Sequence, residues 1–395
     1  MTDEELIEEV RAWLKANWDE SLKGAALRDP PRHREWVAKV VEARWAAPRW
    51  PVEWHGRALP DAQAKIVERE FARVGATGPG QDRTNLWANT ALAHGTEALK
   101  KKVILPLLRG ELGMCLLYSE PGAGSDLAGV RTKAELVGDD YIVNGAKIWT
   151  SFAANADYGM LIARTDWDQP KHAGISFFFC PMKQKGVEVR PLRQITNESQ
   201  FNQVFLTDAR IPKENLLGPL NTGWRVLQTA LAYERSTMGE GARGGRSGVN
   251  AGNNENELIA LARKMGCLSD PIIRQDIARV TAYKKLNALN TARAKADLAQ
   301  GTSSPVMSLG KLAMSRILHE EARVRTAILA AGSLLEGKDH PYAEDANFLT
   351  LNAYFTSIGG GTDQIQRNII GERVLGLPKE PEVDRDIPFR QVRGG

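Results

Sequence analysis

The sequence predicts an α+β protein with an N-terminal α-helical domain, a central small antiparallel β-barrel and a C-terminal four-helix bundle. Three observations predict this order. Helix caps and apolar residues at helical spacing fill the first part of the chain. Short runs of β-forming residues follow, and no helical pattern interrupts them. The helical pattern returns at Asn221, so we divide the chain into 1–112, 113–220, 221–380 and a tail, 381–395.

The N-terminal domain is predicted from its helix starts. Thr2 and Glu5 have the spacing of a capping box, in which each side chain bonds the other residue's backbone. Further starts are predicted at Asp29, Pro60 and Thr96. The tryptophans of this region are expected in the core: Trp13, Trp18, Trp36 and Trp45.

The central domain is predicted from five runs of β-formers, at residues 141–143, 161–163, 175–179, 187–189 and 204–206. Gly138-Asp139 and Asn144-Gly145 are expected to form hairpin turns between strands. In the C-terminal domain, helix caps are predicted at Asp270 and Ser304, and the last helix after Gly359 to Thr362. Residues 239–254 are rich in Gly, Asn and Arg and are expected to form a mobile connector.

Composition limits the classes of function. The 395 residues are 25% charged and carry a net charge of only +4, which argues against a nucleic-acid partner. No apolar run approaches the roughly 20 residues that a membrane-spanning helix needs, and the acidic N-terminus does not resemble a signal peptide. Cys115, Cys180 and Cys267 are scattered, which predicts buried, reduced thiols and a cytoplasmic location. No Cys or His spacing suggests a metal site.

One stretch of the central domain has the composition of a ligand-binding loop. Gly122, Ala123 and Gly124 allow a backbone to approach a flat ligand closely and to direct N–H groups at it. Trp149 offers an apolar wall for a heterocycle. Hydroxyl groups that can bond ring or phosphate oxygens lie nearby in sequence, at Ser119, Ser125, Thr150 and Ser151.

A candidate general base follows from helical periodicity. Glu234 lies on the same helical stripe as the apolar residues Trp224, Leu227, Leu231 and Met238. A carboxylate withdrawn from water has a raised pKa and is suited to accept a proton near neutral pH. The alternative is a buried glutamate paired with an arginine from another helix. The residues alone leave both interpretations open.

Two sequence blocks resemble the flavin-clasping barrel of acyl-CoA dehydrogenases: Ser119 to Asp126, and Asn144 to Ser151. The resemblance extends over nearly the whole chain and implies FAD as cofactor and an acyl-CoA as substrate. The residues that it assigns to the cofactor are Tyr118, Ser119, Gly124, Ser125, Trp149, Thr150, Ser151, Arg274, Thr362 and Gln364. Those that it assigns to the substrate are Ser125, Arg235, Gly360 and Gly361.

The resemblance also favours Glu234 as the base. Most members of the family carry their base where this chain has Gly360, whereas a minority place it in a Glu-Arg pair like Glu234-Arg235. The implied reaction is an α,β-dehydrogenation to the trans-2-enoyl-CoA. Glu234 removes the α-proton, flavin N5 accepts the β-hydride, and the backbone N–H of Gly360 stabilises the enolate oxygen.

The sequence departs from the family at the surface that receives the adenine half of a neighbour's FAD. Ala330-Ala331 replaces a Gly-Gly pair, and Ile277 stands where an aromatic residue is common. Relatives that handle steroid side chains or dicarboxylic acyl-CoAs share this pattern. We therefore expect either a homo-oligomer, dimer or tetramer, or a heteromer with a related acyl-CoA dehydrogenase subunit. The family implies electron-transfer flavoprotein as the electron acceptor.

Two alternatives to this function remain. One is a flavin monooxygenase or oxidase of the same fold, a class that tends to lack the base at both positions. The other is a subunit that completes the site of a related partner chain. The presence of Glu234 and of the Ser119 to Ser125 loop favours the dehydrogenase.

Overall fold

The computed structural model describes residues 1–24, 26, 29–241, 256–300 and 309–392, without the side chains of 234–241, 295, 298 and 299. Two compact units are present. Unit 1 contains Met1–Arg193, Ser199–Glu240 and Val383–Gly395, and unit 2 contains Gln194–Glu198 and Gly241–Glu382. The three-domain division remains a prediction.

The first part of unit 1 is helical, as expected. Its helices are α1 Asp3–Asn17, α2 Pro30–Glu42, α3 Asp61–Val74, α4 Gln81–Thr84, α5 Leu86–His94 and α6 Glu97–Leu108. The capping box at Thr2 and Glu5 is confirmed, and Asp29 and Thr96 accept backbone N–H bonds at the starts of α2 and α6. The short helices α4 and α5 were not predicted. The four tryptophans lie in or against the core, with Trp36 and Trp45 buried.

An eight-stranded sheet follows the helices. Its strands are β1 Met114–Leu117, β2 Lys133–Val137, β3 Asp140–Ser151, β4 Tyr158–Arg164, β5 Ile175–Pro181, β6 Val187–Leu192, β7 Phe201–Pro212 and β8 Leu216–Leu217. The order is β6-β7-β3-β2-β4-β5-β8, and β1 pairs with β4. All five predicted strands are present, whereas β1, β2 and β8 were missed.

Three details of the sheet differ from the prediction. A closed barrel is not confirmed, because β6 and β8 end the path of paired strands without pairing to each other. The sheet is also not purely antiparallel, since β4 runs parallel to both β1 and β2. The predicted hairpin turn at Asn144-Gly145 is wrong, because both residues lie inside β3, where the pairing to β7 shifts register. Gly145 fits there because an added Cβ would meet Thr132 Oγ1 at 2.4 Å.

The turn at Gly138-Asp139 is confirmed between β2 and β3.

Helix α7 Gly223–Gly241 follows the sheet. The helices of unit 2 are α8 Glu257–Lys264, α9 Pro271–Ala299, α10 Leu309–Leu329, α11 Pro341–Ile358 and α12 Asp363–Ile369. The start of α9 after Asp270 is confirmed. The predicted cap at Ser304 and nearly all of the 239–254 connector lie outside the described residues.

C-terminal helices are therefore present, and their arrangement as a four-helix bundle remains a prediction. In the described parts of the chain, no helix is long and apolar enough to cross a membrane. Among the same residues, His, Cys, Asp and Glu form no group of three or more that could hold a metal ion. The cysteines are free, with Cys115 and Cys180 buried and Cys267 half-buried. The cytoplasmic location remains a prediction.

Candidate functional site

The glycine-containing loop is fixed at both ends to the sheet. Tyr118 lies beneath it, buried, with its ring edge-on to Phe177 at 5.9 Å between centroids. The Ser119 carbonyl accepts a hydrogen bond from Ile148 N at 2.9 Å. Glu120 and Ala123 exchange two backbone hydrogen bonds of 3.0 Å, which close the turn. These bonds fix the backbone of the loop and leave its outer residues exposed.

A buried ion pair holds the loop from below. Lys147, fully buried on β3, donates to the Tyr118 carbonyl at 3.1 Å and to Glu120 Oε1 at 2.8 Å. The Glu120 carboxylate also accepts the backbone N–H groups of Arg131 and Thr132, at 2.7 and 2.9 Å. Burial acts to raise the pKa of Glu120, but Lys147 and these donors outweigh it and hold that pKa below its usual value. Burial lowers the pKa of Lys147, against the effect of Glu120.

The two glycines of the loop border open space. Within the described part of the chain, an added Cβ at Gly122 or Gly124 would meet no protein atom within 4 Å, and neither residue has a positive φ. Neither protein packing nor backbone conformation therefore requires glycine at these positions. A ligand that lies close against the backbone would require it.

The end of β3 presents two aromatic side chains in an unusual backbone conformation. Trp149 is 59% exposed and Phe152 is 73% exposed, with φ of 61° and 60°. Bulky residues rarely adopt this left-handed region, and such outliers concentrate at functional sites. The Trp149 ring contacts Phe201 edge-on. Beside it, Thr150 is buried and its Oγ1 has no hydrogen-bond partner among the residues that the structure describes, while Ser151 is half-buried.

Helix α7 begins in direct contact with the sheet. The backbone N–H of Asn221 donates to Ser176 Oγ at 2.8 Å, and Thr165 Oγ1 donates to Asn221 Oδ1 at 2.6 Å. An added Cβ at Gly223 would lie 2.4 Å from the backbone of Ser176, so the helix starts as close to β5 as glycine permits.

The first turns of α7 share a core with the loop. Leu227 and Ala230 are fully buried in the same apolar cluster as Tyr118, and Trp224 and Leu231 pack against it. The backbone positions 234 and 235 continue this helix. The side chains of Glu234 and Arg235, and of Met238, lie outside the described residues.

The remaining predicted residues belong to unit 2. Gly360 and Gly361 have φ of 65° and 87°, and Thr362 caps α12 by accepting the Ile365 N–H at 3.2 Å. The next residue, Asp363, accepts hydrogen bonds from Ser315 Oγ at 2.8 Å and Lys311 Nζ at 3.2 Å, which tie α12 to α10. Gln364 is exposed on α12, and Arg274 is exposed on α9.

The structure thus brings together, in unit 1, Tyr118, Ser119, Gly124, Ser125, Trp149, Thr150 and Ser151. Positions 234 and 235 are in the same unit, whereas Arg274, Gly360, Gly361, Thr362 and Gln364 are in unit 2.

The sequence reasoning did not single out Glu120 and Lys147. A signal for Lys147 exists, because it follows Tyr141 and Val143 at even spacing along β3 and therefore falls on the inward face. A lysine at an inward strand position predicts a nearby carboxylate.

Family models cover most of the chain. They match the N-terminal domain of acyl-CoA dehydrogenases at residues 2–111, the middle domain at 115–208 and the C-terminal domain at 221–375. The chain is 36% identical to acyl-CoA dehydrogenase IpdE1 of Mycolicibacterium smegmatis over 400 residues, covering 94% of this chain and 97% of IpdE1. It is also 36% identical to acyl-CoA dehydrogenase FadE34 of Mycobacterium tuberculosis over 354 residues, covering 88% of this chain but only 47% of FadE34.

Solved structures show the same fold. The Tcur3481-Tcur3483 steroid ACAD matches with a TM-score of 0.68 and 26% identity, over 96% of this chain and 98% of that one. The ChsE4-ChsE5 complex from Mycobacterium tuberculosis matches with a TM-score of 0.66 and 28% identity, also over 96% and 98%. Acyl-CoA dehydrogenases are flavoprotein oxidoreductases of lipid oxidation that dehydrogenate acyl-CoA thioesters. The chain therefore belongs to the acyl-CoA dehydrogenase family of FAD-dependent enzymes.

Proposed function

We propose that this enzyme removes the α-proton of its acyl-CoA substrate with Glu234 and forms the trans-2-enoyl-CoA. The observation that carries the proposal is the placement of α7, which shares a buried core with the loop that follows Tyr118. Position 234 lies four residues after Ala230 and seven after Leu227, and both are buried. On an α-helix these spacings share one face. Gly360 offers no side-chain base at the alternative position.

The residues of unit 1 fit a flat heterocyclic cofactor. Three features each suit a flavin: the open space beside Gly122 and Gly124, the exposed Trp149 ring, and the Thr150 hydroxyl, for which the described residues supply no partner. FAD, when bound, supplies the hydride acceptor. We assign its binding to Tyr118, Ser119, Gly124, Ser125, Trp149, Thr150 and Ser151 of unit 1, and to Arg274, Thr362 and Gln364 of unit 2.

The substrate contacts are assigned on similar grounds. The α-proton of a thioester is weakly acidic, so the developing negative charge on its oxygen needs hydrogen-bond donors. We assign that role to the backbone N–H of Gly360, in a left-handed turn that it shares with Gly361. Gly361, Ser125 and Arg235 are the further proposed substrate contacts.

The test replaces Glu234 by Gln. We expect the variant to keep its FAD absorbance and to lose flavin bleaching when acyl-CoA is added without oxygen, because the amide cannot take up the proton. Glu234→Asp, which keeps a shorter carboxylate, should bleach slowly. Glu214→Gln, which alters an exposed carboxylate before α7, is the matched control and should behave as the unaltered chain. Full bleaching in the Gln variant would refute the assignment of the base.

The similar proteins support a bulky substrate and an assembly of more than one chain. One solved neighbour is named as a steroid enzyme and another as a complex of two different chains. In unit 2, Leu286 and Leu289 share one face of α9 and are each 55% exposed, which is apolar area of the kind that a second subunit covers. We propose either a homo-oligomer or a heteromer with a related subunit, a ring-bearing or branched acyl-CoA as substrate, and electron-transfer flavoprotein as acceptor.

Two measurements distinguish these possibilities. The amount of FAD bound per chain after expression alone decides the assembly, and one FAD per chain would contradict the heteromer. A panel of CoA thioesters, scored by loss of flavin absorbance, decides the substrate. Faster bleaching by straight-chain than by ring-bearing thioesters would contradict the bulky substrate.

A further inference from the structure

Residues 383–392, here called the strap, fold against unit 1 although they follow unit 2 in sequence. Phe389 is 1% exposed, and its backbone N–H donates to the Gln169 carbonyl at 2.9 Å. Arg390 N donates to the Trp167 carbonyl at 3.0 Å, and its guanidinium pairs with Asp168. The strap is therefore anchored to the connection between β4 and β5.

Phe389 covers a buried cation. The Arg164 guanidinium has no exposed surface, and its carbon lies 3.6 Å from the centroid of the Phe389 ring. Its N–H groups donate to the carbonyls of Ala128 at 2.6 Å, Lys171 at 2.8 Å and Val130 at 3.3 Å. Residues 128–130 directly continue the glycine-containing loop. Phe389 thus forms one wall of the site in which Arg164 holds that continuation.

A second path leads from the strap to the loop itself. Lys171 Nζ lies 3.1 Å from Asp384 Oδ2, in the strap, and 3.1 Å from Asp126 Oδ2. Asp126 directly follows Ser125. Lys171 is almost fully buried, so its two carboxylate partners compensate for the water that it has lost. The strap therefore contacts the loop region through Arg164 and Lys171. The Arg131 guanidinium also contacts the strap, 5.1 Å from the Phe389 ring centroid and donating to the Val392 carbonyl at 3.4 Å.

We propose that the strap positions the 119–130 segment for cofactor binding, with Phe389 and Asp384 as positioning residues that act through Arg164 and Lys171. The inference rests on the proposed function for the role of Ser125 and its neighbours. Its structural half, that the strap restrains this segment, is independent of that role.

Selective burial within the strap supports the proposal. Val383 is 90% exposed at its start, whereas Phe389 is 1% exposed. Ordering a chain segment costs conformational entropy, so the specific contacts at Asp384, Phe389 and Arg390 must offset that cost.

The experiment measures backbone amide hydrogen exchange in the full chain, first without added FAD. We expect Phe389→Ala to speed exchange in peptides of residues 119–132 about thirtyfold, since a desolvated cation–π contact corresponds to roughly that factor. Asp384→Asn should have a smaller effect in the same peptides. Phe389→Tyr, which keeps a ring over Arg164, should restore slow exchange, and the matched control Val383→Ala should change nothing.

The second measurement is the FAD dissociation constant of the same variants, in the assembly that binds FAD. We expect Phe389→Ala to weaken binding several-fold, and Phe389→Tyr to restore it. Unchanged exchange in 119–132, with faster exchange confined to the strap, would overturn the proposal. Faster exchange in 119–132 with unchanged FAD affinity would overturn the positioning role of the strap. The exchange measurement does not depend on Glu234, so its result would hold even if Glu234 were not the base.

Discussion

The Glu120–Lys147 pair gives the sharpest test of how the loop is held. Glu120→Gln keeps the size of the side chain and removes its charge. The Lys147 ammonium, fully buried, would then keep only the Tyr118 carbonyl and an amide oxygen, and the new NH₂ group would face the Arg131 N–H. Removing one partner of a buried ion pair costs about 3–5 kcal/mol, since the other charge remains uncompensated. We expect a loss in that range for the unfolding of unit 1.

The assay is urea denaturation of the Glu120→Gln, Lys147→Met and double variants. Lys147→Met should cost less, because Glu120 keeps the backbone N–H groups of Arg131 and Thr132. The double variant should be more stable than Glu120→Gln, because no buried charge is left alone. Glu188→Gln, in an exposed pair with Arg190, is the matched control and should give no measurable change. A loss below about 1 kcal/mol for Glu120→Gln, or additive effects in the double variant, would refute the reasoning.

Two further predictions concern the cofactor surface and unit 2. Trp149→Ala should leave the urea midpoint nearly unchanged, because the ring is 59% exposed. The same variant should bind FAD roughly tenfold more weakly, because an aromatic contact is lost. A fluorescence titration that finds unaltered FAD affinity would contradict this prediction. Asp276 accepts bonds from Arg323 and Arg279, chiefly from Arg323, and these hold its pKa below the usual value. Because this pKa is lower in the folded state, the ionised carboxylate stabilises the fold fully at pH values above the ordinary carboxyl pKa of about 4. That stabilisation is lost as the pH falls through the lower, folded-state pKa. Asp276→Asn should therefore lower the melting temperature at pH 7 and have little effect at the acid limit, and equal losses at both pH values would count against the assignment.

The helix starts could be predicted because their signals are local. Thr2, Asp29 and Thr96 each bond a backbone N–H within three residues, so neighbours in sequence determine the cap. The composition of the loop from Ser119 to Ser125 is local in the same way. The short helices α4 and α5 lack a strong amphipathic pattern and were missed.

The wrong predictions concern features of the sheet that depend on residues far apart in sequence. Asn144-Gly145 has the composition of a turn, but pairing to β7 extends β3 through it, with a register shift beside Thr132. Whether the sheet closes depends on the pairing of its edge strands, which no local pattern encodes. The contact between Arg164 and Phe389 joins residues far apart in sequence, so neither residue signals the other.

The strap has a consequence for the order in which the protein matures. Domains generally begin to fold as they leave the ribosome, N-terminal parts first. The sheet of unit 1 is synthesised before residues 241–382 of unit 2, but the ring that covers Arg164 arrives only after those residues have been made. Until then a guanidinium that is fully buried in the finished protein lacks one wall of its site. A segment that is made after residues 241–382 therefore completes a site whose other residues were made before them.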